Sequence, residues 1–171
     1  LLMEKELVNN FLLAILDGGV IVTIDKKEFN KENIYEEILR LYPSVYETGQ
    51  YNNNPNPRPY IETYLGINCT NNSYDKEVPI LGKVKFIIAK NEEYQGRIAN
   101  FRNSKMLIFK DPSKLYRGYC GIFVCEDEKG NEILKKLENA THTEWRRGNW
   151  KDPVGKDALD SLKEFQIACI K

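Results

Sequence analysis

Apolar residues near the start of the chain fall three and four positions apart. Leu7, Val8, Phe11, Leu12 and Ile15 make one stripe, so residues 3–16 read as an amphipathic helix. Asp17-Gly18-Gly19 stops it, since glycine readily takes the left-handed backbone conformation at a helix end. Residues 20–24 are short and β-branched, which is a strand pattern. A charged turn over 25–31 follows. Asn30 is placed to cap a helix over 31–41 whose inward face is Ile34, Ile38 and Leu41, and Pro43 ends that helix.

The periodicity then fades. Residues 50–59 hold four asparagines and three prolines, and residues 68–75 are again rich in turn formers. The pattern predicts a long irregular surface insertion at about 45–79, with a short helix near 60–65, and loops of this kind often bind. Order returns with three apolar runs that read as strands: 84–89, 106–109 and 121–125. Residues 128–131 read as a turn and 133–137 as a short helix. A last amphipathic helix follows Pro153 and carries Leu159, Leu162, Phe165 and Cys169 inward. Helices and strands in this order give an α+β domain, a mixed β-sheet backed by helices, spanning 1–171 as one unit.

Composition narrows the classes. The 25 basic and 25 acidic residues cancel, with a sequence pI near 6.8, which argues against a dedicated polyanion binder without excluding a local patch. No apolar run is long enough to cross a bilayer, so no membrane partner is expected. Neither end reads as a natural boundary, and the chain is expected to be a fragment of a longer, cytoplasmic protein. The four cysteines lack a C-x-x-C pair and read as structural thiols, with no metal site. Glu126-Asp127-Glu128 reads as a solvated turn rather than a cation site. Any histidine chemistry would have to use His142, the single histidine, and no nucleophile signature surrounds a cysteine that could partner it. No phosphate-cradling glycine loop is present.

Two basic clusters stand out. Arg97, Arg102, Lys105 and Lys110 surround one turn and suit a phosphate, because arginine and lysine give charge-assisted donors. Arg146, Arg147 and Lys151 alternate with Trp145 and Trp150. Charge beside aromatic rings can grip a nucleic-acid backbone and stack on its bases. This makes Arg146, Arg147, Trp150 and Lys151 the candidate residues of a freestanding nucleic-acid-binding module.

Read as one block, residues 97–145 are more specific. Arg97-Ile-Ala-Asn-Phe-Arg-Asn-Ser-Lys-Met-Leu-Ile-Phe is followed by Gly121-Ile-Phe-Val-Cys-Glu-Asp and by Leu137-Glu-Asn-Ala-Thr-His-Thr-Glu-Trp145. This block resembles the segment that follows the ATPase domain in bacterial Hsp90-like (GHKL) ATPases found near restriction-modification and phage-defence genes. It is more distantly similar to MORC ATPases. The resemblance covers roughly 80–171 well and 7–24 loosely.

It implies a transducer domain similar to domain 2 of ribosomal protein S5, with an unusual left-handed crossover. It also implies that Lys105 reaches the γ-phosphate of ATP bound in a preceding domain, with Arg102 and Asn103 as supporting contacts. ATP and magnesium would belong to that upstream ATPase domain and not to this chain, which lacks its Asn-bearing helix and its D-x-G-x-G motif. The resembled full-length proteins are ATPases, but no activity is expected of this chain alone. The implied partners are the N-terminal ATPase domain of the same chain, a second copy in a homodimer, and DNA.

Overall fold

The first helix, α1 (Leu2–Leu16), buries Val8, Leu12, Leu13 and Ile15, and its end is closed by Gly18 in the left-handed region with φ +73°. In the computed structural model, residues 1–45, 56–112, 117–146 and 153–171 are described. A small hairpin follows, β1 (Val22–Ile24) with β2 (Lys27–Phe29). The sequence reads as a charged turn here because the hairpin's tip is Asp25-Lys26, both at positive φ, without the glycine that usually marks such a turn. The helix expected over 31–41 begins at Ile34 as α2 (Ile34–Leu41), and Asn30 instead caps the turn before it by accepting from the Glu32 and Asn33 amides.

A charged network ties these pieces together. Arg40 bridges Glu4 and Glu37, and Lys27 also donates to Glu37. Burial by itself would raise the Glu37 carboxyl, but the hydrogen bonds from Lys27 and Arg40 more than reverse it and hold it below its ordinary 4.5. A carboxyl held low in the folded state stabilises above its unfolded value, and that contribution fades as pH falls through the folded one. Glu37→Gln is therefore expected to flatten the acid limb of urea-unfolding stability below pH 4.5, by less than about 1 kcal/mol for a solvent-screened pair. An acid limb of unchanged slope would show that the network carries no such linkage.

In the region expected as an irregular insertion, residues 58–65 and 70–78 are regular elements. These are α3 (Arg58–Leu65), closed by Gly66 at φ +68°, and then β3 (Thr70–Val78). β3 gives no hydrophobic period because it is an edge strand exposed on both faces. Its structure comes from backbone pairing with β4 (Gly82–Lys90) through nine consecutive residues. The turn between them places Ile80 at φ +71°, a costly conformation for a β-branched residue, with its side chain 40% exposed. Ile80→Gly should raise stability by about 1 kcal/mol in thermal unfolding. No gain would mean that this side chain contributes packing that outweighs the strain.

The main sheet is completed by β5 (Arg97–Phe101), β6 (Leu107–Pro112) and β7 (Tyr119–Cys125), in spatial order β3-β4-β7-β5-β6. β7 is buried along its whole length, antiparallel to β4 and parallel to β5, so the sheet is mixed. Because β7 lies between β4 and β5, the connection 91–96 must cross the start of β7 to reach β5. Backbone bonds fasten the crossing: Asn91 to Gly118, Gly118 to Tyr94, and Gly96 to Tyr119.

Helices cover both faces. One face packs Leu12, Phe29, Ile34 and Ile61 onto Ala99, Phe101, Cys120 and Ile122. The other packs α4 (Glu128–Leu137) and α5 (Pro153–Ile170), through Leu134, Leu137, Ala158 and Leu162, onto Phe86, Ile98 and Phe123. α4 starts at Glu128, where the sequence reads as a turn. Asp127 caps it by accepting from the Gly130 amide at 2.9 Å. Gly130 sits in the first turn because a Cβ there would lie 2.1 Å from the Leu81 carbonyl oxygen. The architecture is α+β, with a five-stranded mixed sheet backed by helices, and among the described residues no helix is long and apolar enough to cross a membrane.

Candidate functional site

The β5–β6 hairpin turns through Asn103, Ser104 and Lys105. The Lys105 amide donates to the Arg102 carbonyl at 2.8 Å, and the Arg102 amide to the Met106 carbonyl at 3.1 Å. A three-residue loop of this type needs a left-handed residue at its third place, usually glycine. Here that residue is Lys105, at φ +64°. Its amine is about one-third exposed and pairs with Asp17 at the end of α1. The other Asp17 oxygen accepts from the Tyr64 hydroxyl at 2.5 Å, and burial together with that carboxylate pushes the Tyr64 hydroxyl up to about 12. Lys105 therefore ties the hairpin to α1 and α3 through one carboxylate.

Arg102 goes elsewhere. Its guanidinium grips Glu138 with two bonds, the Nε to Oε1 contact being 3.0 Å. Only 2% of the Glu138 side chain is exposed, and it also bonds His142 Nδ1 at 2.7 Å. Asn103 contributes its amide, which donates to Asn131 Oδ1 at 3.3 Å. The three residues expected around a phosphate thus diverge. Arg102 and Asn103 fasten the turn to α4 on one face of the sheet, and Lys105 reaches α1 on the other. Arg102 is a poor fit to a phosphate, because leaving Glu138 would take the guanidinium charge away from a buried carboxylate. Lys105 fits better: its carboxylate partner is partly solvated, and a phosphate could replace it.

His142 belongs to the same cluster. It stands at φ +56° in the loop after α4, with Glu138 and no cysteine as its partner. The loop closes on itself through the Arg146 amide to the Leu137 carbonyl, and through Asn139, whose Oδ1 accepts from the Thr143 amide at 2.8 Å. Trp145 is delivered into the core, edge-to-face with Phe109 at 5.2 Å and Phe123 at 6.2 Å. Arg146 is exposed and pairs with Glu144. Arg147, Trp150 and Lys151, the remainder of the basic and aromatic segment, lie outside the described residues.

Other chemistry-bearing side chains are accounted for by structure. Cys120 and Cys125 are buried, and desolvation pushes both thiols up, Cys125 to about 11. Asp127 of the acidic triplet caps α4, and among the described residues no group of three metal-ligating side chains converges. A buried carboxylate that sequence reasoning missed is Glu62, held by Arg58 at 2.9 Å and by the Tyr94 hydroxyl at 3.0 Å. Glu62, Asp17 and Glu138 each have one partner across 32, 88 and 36 positions of sequence; the i,i+4 pairs Arg58–Glu62 and Glu138–His142 are the local signal present.

Compared with known proteins, the chain matches no family model, and no curated protein or solved structure is significantly similar to it.

Proposed function

We propose that this chain is the S5-like transducer domain of a bacterial GHKL ATPase of restriction or phage-defence type, acting in the cytoplasm to relay nucleotide state to a partner, a dimer interface or DNA. The observation that carries this reading is Lys105. A lysine stands where a hairpin would take glycine at lower cost, and it presents its amine at the end of the sheet with one partly solvated carboxylate partner. ATP bound to an upstream domain would supply an anion that competes with Asp17 for that amine. Lys105 would then hold either α1 or the terminal phosphate, and the hairpin would shift its attachment with nucleotide state. Arg102 and Asn103 position the turn instead of touching nucleotide.

The test begins with the source gene upstream of the codon for Leu1. A reading frame encoding an Asn-bearing helix and D-x-G-x-G is expected. In the protein that carries both parts, Lys105→Ala should lower ATP turnover about a hundredfold, the scale for losing one aligned donor to developing charge. Asp17→Asn should leave turnover intact and tighten ATP binding. ATP hydrolysis by the 171-residue chain alone, or a start codon directly before Leu1, would overturn the reading.

A further inference from the structure

The proposed coupling role leaves the space beside α5 unused. A groove of about 480 Å³ lies between the β5–β6 end of the sheet and α5. Its polar floor is Asn100 and Gln166, only 1% and 5% exposed, with Gln166 Nε2 donating to Asn100 Oδ1 at 3.1 Å. That single amide-to-amide bond leaves much capacity unspent. Among the described residues no donor reaches Gln166 Oε1, and Asn100 Nδ2 makes only a 3.4 Å contact with the Ile98 carbonyl. A guest that bonds these amides would use the capacity they leave open.

Two aromatic rings, Trp145 and Phe109, form one wall, and the buried Trp145 indole nitrogen has no hydrogen-bond partner among the described residues. Three cations stand on the lining, of which Lys110 is turned to Asn9 and the Tyr60 ring. Lys163 is exposed and has no ion-pair partner among the described residues, and Arg146 shares its charge with Glu144. An apolar wall, a donor beside an acceptor on the floor, and basic groups together describe one kind of guest. It is flat, carries an amide-like edge, and bears an anion.

We propose that this groove binds a single nucleotide. The base lies along the Trp145–Phe109 wall, its edge meets the Asn100–Gln166 amides as asparagine and glutamine meet bases elsewhere, and the phosphate rests on Lys163 and Arg146. A free nucleotide and the exposed base of a single strand offer the same chemistry. The site does not depend on an upstream ATPase domain, so the failure of the coupling reading would leave it standing, and its own failure would leave that reading untouched.

Calorimetric titration of the 171-residue chain, paired with quenching of its tryptophan emission, tests the assignment with 5′-mononucleotides and with a short single-stranded oligonucleotide. Saturable binding is expected. Gln166→Leu should weaken it about tenfold by removing the edge contact. Lys163→Glu, on an exposed helical position that cannot unfold the domain, should weaken it comparably and flatten its salt dependence. An oligonucleotide preference of tenfold or more assigns the site to a strand, and equal affinities assign it to a free nucleotide. Absence of saturable binding to either probe up to about 10 mM, where affinity is only a few kcal/mol, overturns the proposal. So does binding that Lys163→Glu and a folded Gln166→Leu leave unchanged.

Discussion

Gly130→Ala is expected to destabilise the domain by about 3 kcal/mol and to lower its melting temperature by about 10 °C. The added Cβ would stand 2.1 Å from the Leu81 carbonyl oxygen and 2.8 Å from Cys125 Sγ. The first is backbone in the tight β3–β4 turn, and the second is a buried thiol bonded to that same carbonyl, so neither can swing aside. Relief would require α4 to lift off the turn, and Asp127, which caps α4, is itself pressed against Gly82. Gly19→Ala is the control. Its Cβ would meet only the Ala14 carbonyl at 3.5 Å, in ordinary contact, and its effect should be within about 0.5 kcal/mol. Equal melting temperatures for the two variants would mean that α4 does not seat as described.

Arg102→Ala should cost about as much, roughly 3 kcal/mol in urea unfolding, for a different reason. Glu138 is almost wholly buried and is bonded by the Arg102 guanidinium and by His142 Nδ1. Deleting the guanidinium takes a permanent positive charge from a desolvated carboxylate, and most of the loss is the penalty of that weakened pairing. The double variant Arg102→Ala with Glu138→Gln should therefore be more stable than Arg102→Ala alone. If Arg102→Ala costs under about 0.5 kcal/mol, the pair is effectively solvated and contributes as a surface pair does.

These two positions also mark what could and could not be read from the chain. α1, the central β7 and α5 were legible because burial writes itself into the sequence, as a period of 3.6 or as the continuous apolar run Gly121–Cys125. β3 was not, since an edge strand exposed on both faces needs no apolar residues and owes its form to its neighbour's backbone. β5 was missed because its core carries a buried asparagine, Asn100, whose partner Gln166 lies 66 positions away. The start of α4 was misread because Gly130 looks like a turn former until the Leu81 carbonyl behind it is seen.

Of the candidate site, the basic turn at 102–105 was visible as charge. Its division between two faces was not, because both carboxylate partners come from distant helices. Such long-range pairing leaves no local spacing to detect.

The place of β7 in the sheet sets an order on how the protein can be made. Until Tyr119–Cys125 has left the ribosome, β3–β4 and β5–β6 are two separate hairpins, each with an inner edge that has nothing to pair with. The strand that joins them must enter a slot two strand spacings wide, about 10 Å, between pieces already formed. A nascent chain stalled before residue 119 exposes both sticky edges and the apolar side chains β7 would cover. Translation speed through that stretch, and chaperones that shield open strand edges, should therefore govern yield more than the stability of the finished fold does.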